Sequence, residues 1–308
     1  MTCFHPLQAW MRKGRKSNTG KSMVVFSPPT NIGEYRCIHV PCGQCLGCRL
    51  DYSRMWAVRC YHESQLHDKN MFITLTYDDE HVPWSAVTGE QTLVKKDLQL
   101  FWKRLRKHFD KLGIKIRYYG AGEYGDYTNR PHYHAIVFGC DMDDKQLYKL
   151  SELGFPYYVS DTLDKIWEKG QCLVADVSVD TCAYVARYVV KKQNGELGKL
   201  KYDGIEKEFS VMSRRPGIGF DWFNKYKSDV YPSDDVVVRN GGRVRHFPTP
   251  RYYDSLLEHI DSRLFDFIKE RRVSELSDES KLAVWDARRM AAKEAVKKAQ
   301  LNFCKRSV

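Results

Sequence analysis

The sequence predicts an α+β fold, a central antiparallel sheet flanked by helices, and three observations predict it. MFITLTY (Met71 to Tyr77) is a β-branched and aromatic run closed by Asp78, Asp79 and Pro83, as a buried strand should be. IKIRYYGA (Ile114 to Ala121) and HYHAIVF (His132 to Phe138) read as two more strands, joined by the polar stretch GEYGDYTNRP into a long hairpin. Leu98, Phe101, Trp102, Leu105 and Phe109 recur at helical spacing, so Lys95 to Lys111 reads as an amphipathic helix with Lys103, Arg104, Arg106 and Lys107 on its other face.

The remaining elements follow in chain order. Residues 1–45 read as an extended arm with a basic run, Arg12 to Lys16, and the start of a cysteine cluster. Residues 46–195 form the expected core. It opens with a helix from Leu46 to about His67, drawn from Leu50, Met55, Trp56, Val58 and Tyr61. After the hairpin come helical or irregular segments through Trp167, a short strand around Cys172 to Val177, and a helix from Asp180, read as its N-cap, to Lys192. Residues 196–308 read as a C-terminal extension. Its periodicity is weak until Lys281 to Val308, an alanine-rich basic helix with eight Lys/Arg against two acids.

Composition bounds the function. The 308 residues are 43% hydrophobic, which supports a sizeable core and excludes wholesale disorder. Lys and Arg number 50 against 39 Asp and Glu, a net charge of +11, so a polyanionic partner is expected, nucleic acid first and an anionic membrane surface second. No apolar run approaches the length needed to cross a bilayer, and MTCFHPLQAWMRKGRK lacks the features of a signal peptide. The expectation is a soluble, unsecreted chain with no membrane partner.

His132 and His134, at i and i+2 on a strand, project from the same face of the sheet. Glu123, at the end of the preceding strand, lies about where an antiparallel neighbour would present a carboxylate. Two imidazoles and one carboxylate can hold a divalent cation and leave positions open for substrate oxygens. The same set holds iron in oxygenases, so that activity stands as an alternative. Tyr184 and Tyr188 lie one turn apart on one helix face, and by itself such a pair is ordinary aromatic packing. A free phenol, with a pKa near 10, attacks well at neutral pH only where positive charge favours phenolate; Lys191 and Lys192 on the next turn would supply it.

Cys42, Cys45 and Cys48 are spaced for a tetrahedral metal, and scattered cysteines elsewhere suit a reducing compartment. Structural Zn²⁺ is expected, with Cys3 the chosen fourth ligand and Cys37, His39 and His5 as rivals; an iron-sulfur cluster or inert thiols are the other readings. Arg104, Lys107, Arg117, Arg130, Arg214 and Arg215 are the expected contacts to DNA phosphates. The cysteine cluster and basic helices alone would also suit a zinc-stabilised nucleic-acid-binding protein without catalysis.

Taken in order, PCGQCLGCR (Pro41 to Arg49), FITLTYDDEH (Phe72 to His81), GEYG (Gly122 to Gly125), RPHYHAIVFG (Arg130 to Gly139), YVARYVVKK (Tyr184 to Lys192) and SRRPGIG (Ser213 to Gly219) resemble the HUH endonuclease superfamily. Within it the chain is most similar to the rolling-circle replication initiators of the single-stranded DNA phages of the microvirus family, gokushovirus type. The resemblance implies an HUH endonuclease-like core in which His132, His134 and Glu123 hold Mg²⁺ or Mn²⁺. It implies nicking and rejoining of single-stranded DNA at a replication origin, with Tyr184 and Tyr188 as nucleophiles forming a 5′-phosphotyrosine link. It further implies host helicase and polymerase as partners and the cytoplasm of the bacterial host cell as the location.

Overall fold

A computed structural model describes residues 3–16, 22–151, 154–191, 198, 200–240, 242–276 and 286–304. The chain divides into two compact units, Met1–Asp51 with Glu275–Val308, and Tyr52–Ser274.

The first unit contains a three-stranded antiparallel sheet, β1 (Leu7–Lys16), β2 (Ser22–Val25) and β3 (Tyr35–Val40), in the order β2-β1-β3. This corrects the expectation of an extended arm. Trp10 pairs with Val25 on one side and Cys37 on the other. Most described side chains of this sheet are exposed or half-buried, so the strands carry no alternation of apolar and polar residues to read. The unit also holds the start of helix α1 (Leu46–Ser64) and, near the C-terminus, the last helix, Ala287–Cys304, where Glu294 pairs with His5 at 2.8 Å.

The second unit is built on a seven-stranded antiparallel sheet. Its strands are β4 (Asn70–Thr76), β5 (Arg117–Tyr124), β6 (Pro131–Phe138), β7 (Gln146–Leu150), β8 (Pro156–Val159), β9 (Cys172–Asp176) and β10 (Phe209–Met212), in the order β10-β5-β6-β4-β9-β8-β7. β5 begins three residues later than expected and takes Glu123 into the strand. Its Gly120 and Gly122 mask the strand pattern; a Cβ at Gly122 would stand 3.1 Å from both Tyr133 and Phe209. β7 and β8 occupy a stretch expected to be helical or irregular, and the five residues of β7 are all exposed, again erasing period-two alternation. β10 pairs with β5, so the sheet extends past the expected boundary at residue 195.

Helices cover both faces. On one face α2 (Lys95–Asp110) buries Leu98, Phe101, Trp102, Leu105 and Phe109 against Met71, Ile73, Leu75, Tyr133, Ala135 and Val137, together with Leu163 and Trp167 of α3 (Asp161–Trp167). Phe101 is fully buried, and its truncation to alanine would cost about 3–5 kcal/mol. On the other face Trp56 and Cys60 of α1 join Cys182, Val185 and Ala186 of α4 (Val179–Lys191) over Phe72, Tyr119, Ile136 and Ala175. The N-cap of α4 is Ser178 rather than Asp180: its Oγ accepts the Thr181 N–H at 3.1 Å while Thr181 Oγ1 accepts the Ser178 N–H at 2.7 Å.

The chain beyond Gly219, expected as a weakly patterned extension, forms α5 (Phe220–Val230), a hairpin of β11 (Asp235–Asn240) and β12 (Arg243–Pro248), α6 (Arg251–Ile260) and α7 (Ser262–Leu276). Phe223, Val230, Tyr231, Val236, Val238, Tyr253, Leu257, Phe265 and Ile268 gather there into a core of their own, closed by Val58 of α1. The final helix, Ala287–Cys304, is α8. No helix among the described residues is long and apolar enough to cross a membrane.

Candidate active site

Strand register assembles the site. Across β5 and β6, Glu123 stands directly opposite His132 and Ala121 opposite His134; across β4 and β6, Thr76 faces His132 and Thr74 faces His134. Residues directly opposite one another in an antiparallel pair share a face, so the two imidazoles, the carboxylate and both threonines lie on the face covered by α4. Tyr133, between the histidines, points the other way, into the layer of α2. There its phenol accepts the Val94 N–H at 3.0 Å and contacts the Tyr77 hydroxyl at 2.8 Å, which ties the middle of the histidine motif to the start of α2.

Glu123 Oε1 lies 2.8 Å from His132 Nε2 and 3.2 Å from His134 Nε2. The other ring nitrogens are held from behind. His132 Nδ1 is 3.0 Å from the Arg130 carbonyl, which can only accept, so Nδ1 carries a hydrogen and the neutral ring offers its Nε2 lone pair on the Glu123 side. His134 Nδ1 is hydrogen-bonded to Thr74 Oγ1 at 2.9 Å. Burial alone would push the Glu123 carboxyl up, but its hydrogen bonds to the two histidines and their charge hold it at about 2. One ligand atom from each of the three residues lies within 4.8 Å of the others, a donor set that fits one divalent cation.

The phenol helix meets this cluster. The Tyr184 ring stands 5.3 Å from the His134 ring, edge to face at 81°, and 6.0 Å from Phe72. Tyr188 lies one turn further along α4; its side chain and that of Lys191 fall outside the described residues, as does the whole of Lys192. The structure thus brings together Glu123, His132, His134 and Tyr184.

The arginines expected at DNA are placed differently. Arg104 donates to the carbonyls of Ile166 (2.6 Å) and Trp167 (2.9 Å) and pairs with Glu168, capping the C-terminus of α3 on the sheet face away from the imidazoles. Lys107 is exposed on α2, the helix that also carries Arg104. Arg117 is drawn inward: it pairs with the buried Glu63 and donates to the carbonyls of Pro216 (3.0 Å) and Gly217 (3.1 Å). Arg130 bridges Asp79 and the Tyr77 carbonyl beside the histidine strand, while Arg214 and Arg215 are exposed ahead of Pro216. Arg104 and Arg117 therefore use their donors within the protein, because unpaired carbonyls and a buried carboxylate lie within their reach. Thr74, which orients His134, is marked by no sequence pattern; its role depends on the β4–β6 register, a non-local pairing.

The other metal-binding group lies in the first unit. Sγ atoms of Cys3, Cys42, Cys45 and Cys48 lie within 4.8 Å of one another, so of the candidates for the fourth position Cys3 is the one that joins the cluster. Backbone N–H groups point at the sulfurs, from Cys42 to Cys3, from Cys45 to Cys42 and from Phe4 to Cys45, each at 3.3 Å. Burial works to raise the Cys45 thiol, but the N–H groups of Cys48 and Phe4 and the neighbouring thiols bring it down to about 7. Cys37 is exposed and accepts from Gln8, and His5 is engaged by Glu294. Four thiolates of this kind suit one tetrahedral metal ion.

Comparison with known proteins gives the family. A family model of replication-associated proteins, the ORF2 type, matches residues 70–193, the span from β4 to the end of α4. The replication-associated protein ORF2 of Spiroplasma virus 4 is 33% identical over 279 residues, 88% of this chain and 86% of the relative. The chain belongs to the ORF2 family of replication-associated proteins. Replication-associated protein VP4 of Bdellovibrio phage phiMH2K is 35% identical over 82% of this chain and 76% of its own. The replication-associated protein ORF4 of Chlamydia phage 1 is 31% identical over 75% of this chain and 56% of its own. These relatives are of the gokushovirus type that the order of motifs resembles. No solved structure matches this replication-associated protein.

Proposed function

We propose that this replication-associated protein initiates rolling-circle replication by nicking and rejoining single-stranded origin DNA through a 5′-phosphotyrosine intermediate. The observation that carries the reading is the Tyr184 ring lying edge-on to His134, on the sheet face that also gathers His132 and Glu123. A phosphodiester seated there meets a phenol and a cation-binding set together, as in-line transfer to tyrosine requires.

His132, His134 and Glu123 would hold Mg²⁺ or Mn²⁺, which supplies Lewis-acid stabilisation of charge on a non-bridging phosphate oxygen. Tyr184 gives its phenol proton to solvent and attacks phosphorus. The bond to the 3′ oxygen breaks, leaving a 3′ hydroxyl and a 5′ phosphate joined to the phenol oxygen. Lys191 and Lys192 favour the phenolate by their charge. Tyr188 is the second nucleophile: it cleaves the regenerated origin, and the 3′ hydroxyl so formed attacks the first phosphotyrosine, expelling the phenol. Each step exchanges one phosphoester for another, so joining needs no ATP. Thr74 and the Arg130 carbonyl keep both imidazoles turned toward the carboxylate. Host helicase and polymerase in the bacterial cytoplasm would unwind and extend from the freed 3′ hydroxyl. For the cysteine cluster the reading is structural Zn²⁺ held by Cys3, Cys42, Cys45 and Cys48.

The test is a nicking assay on single-stranded origin DNA with Mn²⁺ or Mg²⁺, scored for a covalent protein-DNA adduct. Wild type should form the adduct and the Tyr184→Phe, Tyr188→Phe double variant should not. An adduct persisting in the double variant refutes the nucleophile assignment, and none in the wild type leaves a DNA-binding protein without catalysis.

A further inference from the structure

The β11–β12 hairpin is a two-stranded ribbon of six residues a side, anchored at its base and basic toward its tip. Register places Val236 opposite Phe247 and Val238 opposite Arg245. Val236 and Val238 are buried, with Phe247 packed against the same core, so the base is held by the C-terminal hydrophobic cluster. Beyond that anchor the ribbon carries Arg239 on its outer face and Arg243 and Arg245 along its other face, all exposed. Its one acidic residue, Asp235, is paired with His246 at the base. Among the described residues none of the three guanidinium groups meets a carboxylate. Six residues at about 3.3 Å each make a ribbon roughly 20 Å long, and solvent-directed arginines on both faces at one end have no structural task within the fold.

We propose that this ribbon is a docking surface for B-form double-stranded DNA, separate from the face that carries the imidazoles. The major groove, about 12 Å wide, admits a two-stranded β-ribbon, and arginine is the side chain best suited to phosphate oxygens and guanine edges there. A single strand fits less well. Such sites interleave positive charge with aromatic stacking platforms, and the outward side chains here are Val237, Arg239, Val244 and His246, with no exposed Phe, Tyr or Trp. The deep, narrow major groove of A-form RNA excludes the ribbon. The proposal rests on the reading that DNA is the partner and adds that duplex flanking the nicked strand is held by its own element.

The experiment is fluorescence anisotropy of the full chain with a two-turn duplex and with a single strand of equal length, over a salt series. Compared are wild type, Arg239→Gln/Arg243→Gln/Arg245→Gln, and the corresponding triple lysine variant, which keeps the charges. All substituted side chains are exposed and the anchoring valines are untouched; the lysine variant controls for folding. In the glutamine variant duplex affinity should fall at least about tenfold near 0.1 M salt, and the salt slope should lessen by roughly 2 to 3, at about 0.9 per lost phosphate contact. Single-strand binding and covalent adduct formation should stay within about twofold, and the lysine variant should retain most of the duplex slope. Unchanged duplex slope in the glutamine variant overturns the proposal, as does an equal loss on the single strand. Duplex binding that follows the ribbon charges in a protein that forms no adduct would sink the nicking mechanism alone.

Discussion

Replacing Arg117 by alanine should lower the melting temperature steeply while leaving the salt dependence of DNA binding almost untouched. The Glu63 side chain is 1% exposed and that of Arg117 17%, so the pair is shielded on both sides. Burial pushes the Glu63 carboxyl up, yet it is held below its ordinary value by His67, by the Gly219 N–H at 2.6 Å and by the Arg117 guanidinium. Without the guanidinium, one carboxylate oxygen faces only His67, at 3.6 Å, and the Pro216 and Gly217 carbonyls lose their donor. Breaking a buried pair on one side costs about 3–5 kcal/mol. At roughly 2–4 °C per kcal/mol for a unit of this size, that is a fall of about 6–20 °C. Gly219 compounds the effect: at φ +80° its Cα abuts the Tyr253 hydroxyl, 2.6 Å from where a Cβ would sit, so the turn has little room to resettle around an unpaired charge. Thermal unfolding by circular dichroism, with DNA anisotropy at several salt concentrations, reads both quantities. A melting temperature within about 2 °C of wild type, with a salt slope reduced by about 1, would show that Arg117 serves DNA phosphates instead.

Three further outcomes follow from the same geometry. His62, stacked on Trp222 and hydrogen-bonded to Tyr253, is pressed by burial from 6.5 to about 3. The unfolded chain therefore binds a proton between those values that the folded chain refuses. Stability from this residue is complete above pH 6.5 and is lost as pH falls toward 3, at up to about 1.4 kcal/mol per unit. His62→Gln should flatten the decline of melting temperature between pH 6.5 and 4.5, and an unaltered slope would contradict it. Thr74→Val should weaken divalent-cation affinity about 10–100-fold by releasing His134, with little change in fold, as titration calorimetry would read. Cys3→Ser should lower bound zinc well below the one equivalent expected of wild type by elemental analysis; full retention would place the fourth ligand elsewhere.

The imidazole site was legible because it rests on two short-range rules. Alternation along a strand puts His132 and His134 on one face, and a hairpin with a short polar loop brings Glu123 opposite. Tyr184 and Tyr188 were legible by helix period. What stayed hidden depends on distant pairing or on carbonyls that no sequence pattern marks. Thr74 reaches His134 only through the β4–β6 register, β10 is four residues whose partner lies far back in the chain, and Arg104 is recruited by the open end of α3. β1 and β7 were invisible because solvent on both sides removes the selection for alternation. Cys3 lies far from the other thiols in sequence, and spacing alone could not choose it over His5 or Cys37.

The position of β6 between β5 and β4 has one more consequence. With neighbours on both sides, this strand has no free edge along which to creep, and its side-chain parity is fixed for its whole length. One residue inserted between Pro131 and His132 would rotate both imidazoles into the layer occupied by Phe101 and Trp102, and deliver Tyr133 to the carboxylate. The same insertion within the 125–130 loop would leave parity intact. Length variation among viral relatives is therefore expected to accumulate in that loop and to spare the strand, since here a shift of frame abolishes chemistry and packing in a single stroke.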